Sequence, residues 1–331
     1  MTQRMGSRLS LLVVLAGGVG GCSLPPPATY LSRPGAADHF CILGDTRRRH
    51  PLRFWVRSAE RERRLIARAV AAERPAFVIM SGDFVVSGGS ARRWAWFDRV
   101  YAPLRLAGVA VLPAVGNHEL LGGTRRGLRN YFARFPGLAR QRWYRRDWKG
   151  LVLLTLDSNR GHMSRSQWRR QRAWFGAQLS AADRDPKVRA VVVTVHDPPI
   201  TNSTAHGDDR DVRRDFLPAF VRAQKAIALV AGHVHTYERF VRGGKTFLNS
   251  GGGGAPRCAV LTGAKRRHTD DRFRGPAWRP FHYITARLTP RGLAVTVHGL
   301  HPGAQRLHTM EQFILPWPVG ESLRRALPAT R

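Results

Sequence analysis

The chain is 331 residues long and 43% hydrophobic, and its 55 basic residues against 22 acidic ones give a formal charge of +33. That length is ample for a large core, and α/β domains of this size often stay single. Fifty of the basic residues are arginine and they are spread along the whole chain, so the charge marks no single ligand. It fits attraction to anionic lipid, lipopolysaccharide or nucleic acid as well as it fits a solvated basic surface. The three cysteines add little to the functional reading.

The amino terminus reads as an export signal. Arg4 and Arg8 precede an apolar segment, residues 9–21, that is too short to span a bilayer. The segment ends in Val19-Gly20-Gly21-Cys22, which is similar to the bacterial lipobox; an ordinary secretory peptide is the alternative. The resemblance implies acyl chains on Cys22 as a membrane anchor and, from Ser23, sorting to the outer membrane. Leu24 through Pro34 reads as a stiff, proline-rich tether. The expected organisation is a signal peptide over 1–21, lipidated cysteine and tether over 22–37, one domain over 38–318 and a tail over 319–331. Such a protein resides in a bacterial cell envelope, facing the periplasm or the surface. No later segment is apolar for long enough to cross a membrane.

Past the tether, short apolar runs alternate with helical patterns. Strands are expected at 40–43, 76–80, 110–114, 151–156, 190–195 and 227–231, and helices at 57–73, 91–105, 167–179 and 212–223. That rhythm predicts an α/β layered sandwich. The last third differs: 245–249, 282–288 and 293–298 are strand-like with little helix between them, which suggests a second sheet. Residues 262–279 are polar and arginine-rich and read as a long surface loop. Cys41, inside the first strand, reads as inert packing, although an oxidising compartment would permit a disulfide with Cys258.

The residues that terminate the strands carry the chemistry. The first strand runs into Gly44-Asp45, the second into Ser81-Gly82-Asp83, and the third into Gly116-Asn117-His118-Glu119. Two later strands run into His196-Asp197-Pro198-Pro199 and Gly232-His233-Val234-His235. In layered α/β folds ligands gather outside the carboxyl ends of strands, so these tips should converge. Carboxylate, amide and neutral imidazole together suit Mn, Fe, Zn or Ni, and a pair of such ions can hold a phosphoryl group and lower the pKa of water. Glycines before Asp45, Asp83, Asn117 and His233 permit the turns this needs.

Taken in this order the motifs resemble the calcineurin-like metallophosphoesterase superfamily over roughly residues 38–300. The most specific pieces are GNHE at 116–119 and GHVHTYER at 232–239, the second of which is particularly similar to purple acid phosphatases. The resemblance implies an α/β/β/α sandwich, two divalent metal ions and a phosphoester substrate. It further implies that Asp83 bridges both ions, that Asn117, His196 and His233 complete one site, and that Asp45 and His235 belong to the other. His118 would then contact the substrate, donating a proton to the leaving group or stabilising developing charge, and His206 falls where related enzymes place a substrate-facing histidine.

Two positions depart from the family pattern. Val86 stands where purple acid phosphatases place a tyrosine ligand, so that ligand is expected to be missing, as is the amino-terminal β-sandwich domain of the plant enzymes. Arg47 stands where a common arrangement places a histidine ligand, and a guanidinium has no lone pair to offer a metal. Arg47 is expected either to contact a substrate phosphate or to pair with a neighbouring carboxylate, and His50 is a remote candidate replacement ligand. The expected function is a dimetal phosphomonoesterase or phosphodiesterase anchored to the cell envelope. A nuclease acting on extracellular nucleic acid and a non-catalytic, envelope-binding basic lipoprotein are the alternatives.

Overall fold

A computed structural model describes residues 26–49, 52 and 58–318. The expected signal peptide, Cys22, the expected tail and His50 lie outside these residues. Strands are β1 (His39–Leu43), β2 (Phe77–Met80), β3 (Ala110–Pro113), β4 (Tyr144–Trp148), β5 (Leu151–Thr155), β6 (Ala190–Thr194), β7 (Ala226–Ala231), β8 (Tyr237–Arg242), β9 (Lys245–Ser250), β10 (Phe281–Thr289), β11 (Gly292–Leu300) and β12 (His308–Pro316). Helices are α1 (Glu60–Glu73), α2 (Ala91–Val100), α3 (Ala102–Leu106), α4 (Asn117–Leu120), α5 (Thr124–Arg134), α6 (Arg165–Arg184), α7 (Arg210–Asp215) and α8 (Leu217–Arg222). No described helix is long and apolar enough to cross a membrane.

The strands form two six-stranded sheets, β12-β11-β10-β1-β2-β3 and β4-β5-β6-β7-β9-β8. Alternation along each central strand builds the layers, because successive side chains point to opposite faces. Phe40 and Ile42 of β1, with Phe77, Ile79 and Leu112, face the other sheet and meet Leu153, Val192, Val230 and Leu248 between the sheets. Cys41, Leu43, Val78, Met80 and Val111 point the opposite way, against Ile66 and Val70 of α1 and Trp94 and Phe97 of α2. Val152, Leu154, Val191 and Val193 do the same for the second sheet against Trp168 and Phe175 of α6. Strands buried on both faces read as continuous apolar runs, which is why the sequence shows them. The result is the expected α/β/β/α sandwich.

Several boundaries differ from expectation. The strands at 245–249, 282–288 and 293–298 do not form a sheet of their own. β9 lies parallel to β7 in one sheet, while β10 runs antiparallel to β1, with Ile284 opposite Ile42, in the other. The helix expected at 91–105 breaks at Tyr101 and that at 212–223 breaks at Phe216. In each case a proline, Pro103 or Pro218, lies in the first turn of the second piece, where its missing N–H is no loss. The segment 262–279 is irregular but does not lie wholly on the surface, because Asp271 and Arg279 are buried. Cys41 is buried and both it and Cys258 are free thiols.

Strands β4, β8 and β12 have no counterpart among the expected strands, and all three are sheet edges. An edge strand buries less and carries charge: YRRDW in β4, YERFVR in β8, HTMEQFILP in β12. The central pairs β1/β2/β3 and β6/β7/β9 are parallel, so their carboxyl ends open on one edge of the sandwich.

Candidate metal centre

At that edge the backbone is bent sharply by residues other than glycine. Asp45, Asp83, His233 and His235 have φ of 55°, 57°, 66° and 46°, four of the eight described non-glycine residues with positive φ. This left-handed conformation is costly for residues with a Cβ and gathers at functional sites. The expectation that neighbouring glycines would absorb the turns is therefore only half met. Gly82 does so, with φ 99° and with a hypothetical Cβ 2.6 Å from His196 Nδ1, but Asp45, Asp83, His233 and His235 themselves take the rest.

The structure brings the five tips together around two groups of donor atoms. In one, His233 Nδ1 lies 3.2 Å from Asn117 Oδ1, 3.3 Å from His196 Nε2 and 3.3 Å from Asp197 Oδ1. In the other, ligand atoms of Asp45, Asp83 and His235 lie within 4.8 Å of one another. Asp83 belongs to both surroundings: its Oδ1 is 3.3 Å from His196 Nε2 and accepts the backbone N–H of His118 at 3.0 Å. Asp45 Oδ2 accepts the backbone N–H of His233 at 2.8 Å, whereas buried Asp45 Oδ1 has no hydrogen-bond partner and faces His235 Nε2 at 3.4 Å.

The imidazoles are held as ligands need to be. His196 Nδ1 donates to Ser81 O and His235 Nδ1 to Pro256 O, each at 2.7 Å, which turns both Nε2 atoms inward. His196 Nε2 then confronts two oxygen acceptors, Asn117 Oδ1 at 3.0 Å and Asp83 Oδ1, an arrangement that calls for a cation. Its electrostatics agree. Burial works against charge on His196, but Asp83, Asp197 and Asp45 outweigh it and raise the imidazole to about 9. Burial pushes His233 down to about 4 despite Asp197, so its ring keeps a lone pair. Asp83, although fully buried, is held well below the usual carboxylate range by His196, His118 and Arg47. The oxygen and imidazole donors fit borderline divalent ions in both groups.

His118 and His206 lie beside the two donor groups. His118 Nδ1 donates to Val86 O at 2.7 Å, leaving Nε2 3.8 Å from Asp83 Oδ2, and burial lowers its pKa. Val86, at the position of the missing tyrosine, thus contributes a carbonyl to orient His118. His206 packs beside His233 with ring centroids 4.2 Å apart and the rings tilted by 53°. Arg47 takes the second of its two expected roles: Nε donates to Asp83 Oδ2 at 3.2 Å, and NH2 lies 3.4 Å from His235 Nε2. A cavity of about 400 Å³ opens beside them, lined by Arg47, His206, His235, Arg257, Trp278 and Phe281.

Three residues escaped the sequence reading. Asp197, which faces His233 Nδ1, is signalled in the sequence only by its place directly after His196. Glu119 is buried and accepts backbone N–H groups from Asp83, Phe84 and Gly116 at 2.8–2.9 Å, which holds the Asp83 turn against α4. Glu238 is likewise buried and accepts from Thr201 Oγ1, Asn202 N and Asn249 Nδ2, which fixes the start of the loop carrying His206.

Comparison with known proteins places this geometry in context. The family model described as calcineurin-like phosphoesterase matches residues 38–237. An uncharacterised protein of Mycobacterium tuberculosis is 28% identical over 254 residues, covering 59% of this chain and 47% of that protein. The chain thus spans about half the length of the curated relatives it first matches. Purple acid phosphatase PPD1 from yellow lupin (Lupinus luteus) superposes with a TM-score of 0.66 at 16% identity, over 85% of this chain and 55% of that one. A dimetal phosphatase from Danio rerio superposes with a TM-score of 0.55 at 17% identity, over 86% and 100%. At these identities the two structures share a fold with this chain.

Proposed function

The chain belongs to the calcineurin-like phosphoesterase family, and on that premise we propose that it hydrolyses phosphoesters at this centre with two divalent metal ions. The observation that carries the reading is the position of Asp83, whose carboxylate borders both donor groups. Asn117, His196 and His233, with Asp197 beside them, would hold one ion, and Asp45, Asp83 and His235 the other. Bound there, such ions supply Lewis acidity toward a phosphoryl group and lower the pKa of water.

The protein's own groups do the remainder. The Val86 carbonyl fixes the His118 ring so that Nε2 faces the centre, where it can give a proton to a leaving oxygen or stabilise developing charge. His206, beside His233 and lining the cavity, would touch the substrate. A phosphate contact by Arg47 requires its guanidinium to leave Asp83, since NH1 is also engaged, donating to Arg48 O at 3.3 Å.

The test is a panel of phosphomonoesters and phosphodiesters assayed with metal-free protein to which Mn, Zn, Fe, Ni and Mg are added singly. Turnover restored by a divalent ion is expected; no bound metal and no turnover would leave the non-catalytic reading. The +33 charge favours a second reading in which the ester is polyanionic, such as extracellular nucleic acid. In that case activity should fall steeply with salt, whereas a small substrate gives a shallow dependence. Anchoring through Cys22 is proposed from its lipobox-like context. It predicts that Cys22→Ala releases the protein from the membrane fraction.

A further inference from the structure

Arg47 touches two of the three groups that make up the Asp45–Asp83–His235 cluster. Its Nε donates to Asp83 Oδ2 and its NH2 lies against His235 Nε2. These are the atoms through which a metal ion would be held, and a guanidinium is a permanent cation that supplies no lone pair in return. It therefore satisfies the charge of the cluster while occupying its donors. A divalent ion and Arg47 cannot use the same atoms, and like charges a few ångströms apart in a buried site repel strongly.

The other group is built differently. Asn117 Oδ1, His196 Nε2, His233 Nδ1 and Asp197 Oδ1 face one another with no arginine among the contacts described for those atoms. The two groups thus differ in that one has a permanent guanidinium cation against its donor atoms.

We propose that Arg47 is a built-in competitor for the Asp45–Asp83–His235 site, so that this site binds its ion second and weakly while the Asn117–His196–His233 site fills first. This rests on the reading that the centre binds divalent ions. The backbone of Arg47 is pinned, its N–H donating to Asp83 O at 2.9 Å, so exchange involves the side chain alone. That side chain is 12% exposed and lines the neighbouring cavity, which gives it somewhere to go. Displaced there, the guanidinium faces whatever phosphate occupies the cavity.

Titration of metal-free protein with Mn²⁺ or Zn²⁺ by calorimetry, with bound metal counted by mass spectrometry, tests this without any assay of turnover. Wild type should load in two steps of unequal affinity. Arg47→Ala and the near-isosteric Arg47→Gln should tighten the second step by about 10-fold or more and leave the first unchanged, the scale on which groups beside a metal site act. Arg47→Lys, which keeps a cation, should stay weak, and Arg47→His should tighten it most. If Arg47→Ala is too unstable to titrate, Arg47→Gln decides. Equal loading of both sites in wild type, or a second step that is unchanged or weaker in Arg47→Gln, overturns the inference alone. Wild type that binds no ion and hydrolyses no ester overturns the reading of the centre itself.

Discussion

One sheet brings oxygen to the centre and the other brings nitrogen. Strands β1, β2 and β3 end in Asp45, Asp83 and Asn117, whereas β6 and β7 end in His196, His233 and His235. His118, the imidazole on the oxygen side, and Asp197, the carboxylate on the nitrogen side, sit beside these donors. Each half has a buried glutamate that ties its loops together, Glu119 for the oxygen half and Glu238 for the nitrogen half. Neither half is a metal site. Each donor group draws on both sheets, so the centre exists only where the sandwich brings the two edges together.

Mutation can test this division of labour. The largest effect is expected from Asp83, which borders both groups: Asp83→Asn should lower kcat by about 10³-fold or more and reduce bound metal at both sites. If only one site is lost, Asp83 does not join the halves. Next, His118→Ala should lower kcat by about 10²-fold on esters with poor leaving groups and much less on 4-nitrophenyl phosphate, whose leaving group needs no proton. An equal loss on both would assign His118 to charge stabilisation or to the metal.

The two glutamates give a smaller, paired contrast. Glu119→Gln turns an amide N–H toward backbone N–H donors around Asp83 and should weaken metal binding by about 10–100-fold. Glu238→Gln perturbs Thr201 and Asn202 instead, and should raise KM while leaving metal stoichiometry intact. Identical phenotypes would erase the distinction between the halves. The smallest effect belongs to His206→Ala, expected to raise KM several-fold with kcat little changed, as read from steady-state kinetics.

Much of this centre was legible in the sequence because a strand buried on both faces announces itself, and the chain then delivers the next residues to a known edge. Asp45, Asp83, Asn117, His196, His233 and His235 were found in that way, and they meet. The edge strands β4, β8 and β12 were not legible, because half-exposed strands tolerate charge and lose the apolar signal. The assignment of β9 and β10 to different sheets was hidden for a related reason: apolar character says that a strand is buried, not beside which strand.

Fold class, the residue types at the strand ends and the lack of a histidine at position 47 follow from the order of the amino acids alone. What Arg47 touches is set by the fold, because its partners lie 36 and 188 residues away, at Asp83 and His235. The same holds for Glu119, whose carboxylate reaches back 36 residues to the Asp83 amide, and for Glu238, which reaches 37 residues to Thr201. A residue's chemistry is written in its type, but its partner is set by packing between sheets, and no local pattern encodes that.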